Sequence, residues 1–146
     1  MTYCIPLWGG LSNEEINDLQ VMQNKAARIV THLPLQGTSR NLLYDKVEWM
    51  TITQLIEYHT LIAMYKIKKY HEPEYLYTLP SNENIRGNIN IPPNALTLFK
   101  KSFCYRGHEA FNKLPQTIKE SPNLFSFKRE AKKWINSNIR RFVYEQ

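Results

Sequence analysis

The chain has 146 residues, 42% of them hydrophobic and 22% charged, and a formal net charge of +6. That length suits one domain that buries a core without a disulfide or metal staple, and that composition excludes a disordered chain. No apolar run approaches the ~18–20 residues of a membrane span, and residues 1–10 lack the basic start and apolar length of a signal peptide. The expectation is a cytoplasmic or nuclear protein, not secreted, with no membrane partner.

In chain order, Ile5, Pro6, Leu7 and Trp8 come first, an apolar string expected to be exposed because little chain precedes it. Ser12-Asn13-Glu14-Glu15 is a capping box, in which hydroxyl and carboxylate satisfy the first free amides of a helix. From it Ile16, Leu19, Met22, Gln23, Ala26, Ile29 and Val30 recur at helical spacing and predict one stripe facing a core. Pro34 and Gly37 end that helix, and a short one after Ser39 carries Leu42, Leu43 and Val47. A second box, Thr51-Ile52-Thr53-Gln54, opens the longest helix. Its apolar residues, from Leu55 and Ile56 through Leu61, Met64 and Tyr65 to Ile67, cover more than one stripe and predict a central helix. Pro73 closes it, with a short helical turn expected over residues 73–76.

Residues 80–95 carry Pro80, Gly87, Pro92, Pro93 and five asparagines, which break every periodicity and predict an exposed loop. Residues 98–105, rich in aromatics, read as a strand or extended segment, and residues 106–111 as a short helix before Leu114-Pro115. Ser121-Pro122 or Ser126 starts the last helix, which runs to about Phe142. The prediction is an all-α or α-dominated single domain over residues 1–146, with one Pro/Asn-rich loop and one short extended segment.

Charge is uneven along the chain. Residues 1–65 hold four Lys/Arg against six Asp/Glu, and residues 66–146 hold fifteen against seven. A half with a net +8 suits an anionic partner, nucleic acid first, and equally a solvated basic face. At 100° per residue the last helix gathers Phe127, Ala131, Trp134, Ile135 and Phe142 on one face and Arg129, Lys132, Lys133 and Arg140 on the other. With Lys100, Lys101 and Arg106 these cations are the expected contacts to a phosphate backbone.

Most catalytic chemistry lacks its residues. Asp18 and Asp45 are the only aspartates, in separate helices, and no Tyr-x-Asp-Asp string occurs, so a two-metal polymerase centre has no ligands here. The five glycines form no phosphate-cradling loop, and no Gly-x-Ser-x-Gly elbow is present. Cys4 and Cys104 read as reduced thiols, and the four scattered histidines supply no zinc set. A Cys104–His108 dyad is a weak signal beside the ordinary role of cysteine as a small apolar residue. No cofactor and no metal are expected, and no enzymatic activity.

Several strings carry a family resemblance. Trp8-Gly9 precedes Leu19-Gln20, Gln23-Asn24-Lys25-Ala26 and Arg28-Ile29. Trp49-Met50-Thr51-Ile52-Thr53-Gln54 and Met64-Tyr65-Lys66-Ile67 follow, then Pro73 and Tyr75-Leu76. The closing set is Ser102-Phe103, Tyr105-Arg106-Gly107, Phe111-Asn112, Leu114-Pro115, Ile118 and Phe127-Lys128. In this order, from Tyr3 to Trp134, they resemble the C-terminal region of non-LTR (LINE-type, jockey-like) retrotransposon reverse transcriptases. Phe111 stands where that family usually has tryptophan, and two cysteines cannot form the zinc knuckle some members carry. The resemblance implies a non-catalytic domain of a larger polyprotein, contacting RNA or DNA in support of reverse transcription. The rival reading is a protein-interaction module that docks on the reverse transcriptase body through Ile5-Pro6-Leu7-Trp8, and a third is a truncated relic without function.

Overall fold

The computed structural model describes residues 4–34, 39–74 and 96–138. They form helices α1 (Ile5–Trp8), α2 (Asn13–Thr31), α3 (Arg40–Val47), α4 (Ile52–Tyr70), α5 (Thr97–Lys100), α6 (Phe103–Lys113), α7 (Gln116–Lys119) and α8 (Leu124–Asn138). No strand occurs among the described residues, so the domain is all-α there. The Pro/Asn-rich loop, the second half of the turn expected over residues 73–76 and the end of the last helix lie outside the described residues.

Local chemistry sets the helix starts. Glu15 N donates to Ser12 Oγ at 3.3 Å and Ser12 N donates back to Glu15 Oε2 at 2.7 Å, so the first capping box is closed. The second closes the same way, Gln54 N to Thr51 Oγ1 at 3.3 Å and Thr51 N to Gln54 Oε1 at 3.1 Å. Ser39 and Ser102 cap α3 and α6 through their hydroxyls. At α8 the cap is Asn123, whose Oδ1 accepts from Ser126 N at 2.9 Å, between the two starts the sequence offered.

Helix α4 is central, with α1, α2, α6 and α8 packed on it. Along one side Leu61, Met64 and Tyr65 meet Phe111 of α6, Ile118 of α7, and Phe127 and Ile135 of α8. Tyr65 and Phe127 stack with ring centroids 4.2 Å apart, and the Tyr65 hydroxyl donates to the Ser121 carbonyl at 2.7 Å. A buried aromatic of this kind contributes roughly 1.5–3 kcal/mol through burial alone. A smaller cluster joins Ile5 to Ile52 and Ile56 at the start of α4, and a third joins Ala27 to Leu43 and Tyr44.

Three expectations are corrected. Residues 98–105 are not extended: they fall in α5 and the start of α6, because the Ser102 cap starts a helix that buries Gly107, Ala110 and Phe111. Helix α2 turns only part of its predicted stripe inward: Ile16 and Leu19 pack on the cluster of Ile5, Ile52 and Ile56, and Gln23 is buried. Its buried residues are Gln20, Gln23 and Ala27, while Met22, Ala26, Ile29 and Val30 are exposed, Ile29 at 74%. The apolar start is not bare, since Ile5 is only 1% exposed against α4, although Leu7 remains out. Trp134 lies on the expected apolar face of α8 and packs half-buried at the edge of the core, whose fully buried α8 residues are Phe127, Ala131 and Ile135.

This placement of α2 has a polar cause. Gln20 Oε1 accepts from Ile52 N at 2.9 Å, and Gln23 Nε2 donates to the Met50 carbonyl at 3.0 Å. The Tyr44 hydroxyl accepts from Gln20 Nε2 and lies 2.9 Å from both Gln23 Oε1 and Asn24 Oδ1. Burying two amides is favourable only with such partners, and they hold the glutamine face inward. Burial also pushes the Tyr44 phenol up to about 12, against the smaller opposing effects of Gln20 and Arg40.

Candidate nucleic-acid interface

The basic residues singled out by sequence divide among separate neighbourhoods. On α8, Arg129 Nε and Lys133 Nζ both reach Glu130 Oε1, at 3.1 and 3.5 Å. Exposed pairs like these contribute little to stability, and they leave this stretch of the face part neutralised. Lys132 lines a recess of about 250 Å³ with Tyr44, Asp45, Glu48, Trp49 and Asn136, so acidic side chains from the end of α3 flank it. Arg140 lies outside the described residues.

Lys100 and Lys101 are exposed at the end of α5. Lys101 adds a minor attraction to Glu15, whose carboxyl is held below its ordinary value chiefly by the Ser12 amide and hydroxyl. Arg106 points into the fold. Its guanidinium fills the space beside Gly9, where an added Cβ would stand 1.6 Å from Nη2, and Nη1 donates to the Pro6 carbonyl at 3.4 Å. Burial lowers its pKa, with Glu57 and Glu109 opposing. Arg106 thus ties α1 to α6.

A second basic group has no counterpart in the sequence reading. Lys68 and Lys69 lie in the last turn of α4, where the helix dipole favours cations, and Lys119 lies at the end of α7. Lys68 Nζ sits 4.8 Å and Lys119 Nζ 5.8 Å from the centre of the Phe111 ring. Lys69 Nζ sits 5.7 Å from the Tyr65 ring and donates to the carbonyls of Ser121 and Pro122 at 3.0 and 2.9 Å. The three lysines, both rings, Gln116 and Glu120 line one cleft of about 240 Å³. Lys68 and Lys69 are 50 or more residues from Lys119, so only tertiary packing brings them together. The local signal available was the Lys68-Lys69 pair at a helix end, one turn from the Tyr65 stack.

The Cys104 thiol is half-buried, and burial pushes its pKa up, away from the thiolate a nucleophile needs. His108 is lowered by burial first and by the Lys68 charge second. Among the described residues no group of three or more His, Cys, Asp or Glu side chains is placed to hold a metal ion. No described helix is long and apolar enough to cross a membrane. In comparison with known proteins, no family model, no curated protein and no solved structure matches the chain.

Proposed function

We propose that this chain is a non-catalytic helical domain that holds the backbone of a nucleic acid, in the manner its resemblance to non-LTR reverse transcriptase C-terminal regions implies. The observation that carries the reading is the excess of fifteen Lys/Arg over seven Asp/Glu in residues 66–146. Such a half neutralises phosphates by counterion release, a contact that needs no base-reading side chain. The chemistry of polymerisation would come from another part of a polyprotein, since the two aspartates, Asp18 and Asp45, sit in α2 and α3 and belong to no group of three or more metal-ligating side chains among the described residues. Fluorescence anisotropy with labelled RNA and DNA oligonucleotides tests it. Binding at low salt with similar affinity for unrelated sequences supports the reading, and absence of binding overturns it. With Mg²⁺ and a primed template the chain should extend no primer.

One observation favours a second reading. Met22, Ala26, Ile29 and Val30 are spaced i, i+4, i+7 and i+8 along α2 and all lie exposed. An apolar stripe of this kind suits docking on a protein such as a reverse transcriptase body. Ile29→Ser would weaken such docking and leave oligonucleotide binding unchanged.

A further inference from the structure

The start of α8 carries an aromatic side chain that the core does not use. Leu124 and Phe127 pack into the main cluster, while Phe125, between them in sequence, is 75% exposed. Among the described residues no other aromatic is as open: Tyr70, Phe99 and Trp49 reach 45%, 43% and 37%. Phe99 also meets the Tyr105 ring edge-on, with centroids 5.9 Å apart. Leu7, Ile29, Leu96 and Leu98 are exposed as well, but they are aliphatic and have no π-face.

Position on the helix decides what surrounds the ring. Residues three and four apart are neighbours on a helix surface, so Lys128 and Arg129 flank Phe125 directly. Lys132, seven residues on, continues the same stripe, while Phe127, Ala131 and Ile135 turn to the core. Arg129 is held by Glu130, and Lys132 lines the recess with Asp45 and Glu48. Lys128 is exposed beside α4: burial lowers the His59 pKa, and the Lys128 charge adds to it. It is therefore the cation that stands next to the ring without an acidic residue already placed on it by the same helix turn.

An open aromatic flanked by cations is what a single-stranded nucleic acid uses, its bases stacking on the ring while its backbone follows the positive charge. A duplex keeps its bases stacked on one another, so it can use the cations but not the ring. We infer that Phe125 is a base-stacking site for single-stranded nucleic acid, with Lys128 taking a phosphate beside the stacked base. This rests on the nucleic-acid reading proposed above and goes beyond it, because it selects unpaired strands.

The test is anisotropy with a labelled oligouridine and a labelled duplex across a salt series, on wild type, Phe125→Ala, Phe125→Leu, Phe125→Trp and Lys128→Gln. Thermal melts confirm that each variant is folded. Phe125→Ala and Phe125→Leu should each weaken oligouridine binding about tenfold, with the slope of log K against log salt unchanged. Phe125→Trp should bind at least as tightly as wild type, and none of the three should change duplex binding. Lys128→Gln should take about 0.7 from the oligouridine slope, and an unchanged slope overturns the phosphate contact. Wild-type affinity in Phe125→Ala, with wild type binding normally, overturns the stacking site and leaves the nucleic-acid reading standing. Full affinity in Phe125→Leu beside a loss in Phe125→Ala, or an equal loss on duplex, makes the contact apolar packing and also overturns it. If wild type binds neither oligonucleotide, the nucleic-acid reading fails and the stacking site with it.

Discussion

Met64 of α4 packs directly against the bare backbone of Gly107 in α6: a Cβ on Gly107 would stand 2.7 Å from its Sδ and 3.0 Å from its Cγ. Met64 is buried and cannot swing into solvent to make room. Gly107→Ala would gain roughly 1 kcal/mol of helix propensity and lose roughly 1–3 kcal/mol to overpacking. We expect a net loss of about 1 kcal/mol in denaturant unfolding. On a Met64→Ala background the same change should become stabilising. A Gly107→Ala effect of one sign in both backgrounds would mean that the contact does not set the spacing of α4 and α6.

Tyr44→Phe should cost about 1–3 kcal/mol despite removing a single oxygen. The loss removes the hydroxyl at which the buried Gln20 and Gln23 amides meet, leaving their direct bond from Gln20 Nε2 to Gln23 Oε1 at 3.1 Å to satisfy both. Chemical denaturation of the variant measures it. An unchanged midpoint would show that these glutamines satisfy each other without Tyr44.

Those glutamines also mark where sequence reading stops. Ser12, Thr51 and Ser39 announce their helices because a cap uses residues three apart. The inward face of α8 is legible for a similar reason, since Phe127, Ala131 and Ile135 repeat at helical spacing. Helix α2 is legible that way only in part, through Ile16, Leu19 and Gln23. The other members of its stripe, Met22, Ala26, Ile29 and Val30, face out because Gln20 and Gln23 find partners at Tyr44, Met50 and Ile52, up to 32 residues away. Residues 98–105 are rich in strand-favouring aromatics, and it is the Ser102 cap that decides for helix. Lys100, Lys101 and Arg106 are close in sequence, yet Arg106 turns inward to Pro6, and Lys119 converges with Lys68 and Lys69 across 50 or more residues.

Glu48 ends α3 in the left-handed region at φ 55°, where a side chain is strained and a negative charge opposes the helix dipole. Glu48→Gly should therefore stabilise the domain by roughly 0.5–1 kcal/mol, relief of strain exceeding the added freedom of the unfolded chain. A thermal melt showing a loss would contradict this account of the α3 end.

Burial pushes the Glu57 carboxyl above its ordinary 4.5, and Lys113 and Arg106 only partly oppose that. A carboxyl with a raised folded pKa makes the charged form costly in the native state. That penalty is full above the folded pKa and absent below the unfolded one. Glu57→Gln should thus melt higher than wild type at neutral pH, and the gap should close as pH falls toward 4.5. A gap that widens on acidification would mean that Glu57 is stabilised as a carboxylate.

The central claim is that the basic half holds a phosphate backbone, and the salt dependence of wild-type binding tests it most directly. Dissociation constants are measured for two single-stranded oligonucleotides of unrelated sequence between about 50 and 200 mM salt. The account predicts straight lines of log K against log salt, with one slope for both sequences and about 0.7 for each phosphate held. Binding that is absent at the lowest salt, or that does not weaken as salt rises, would contradict it.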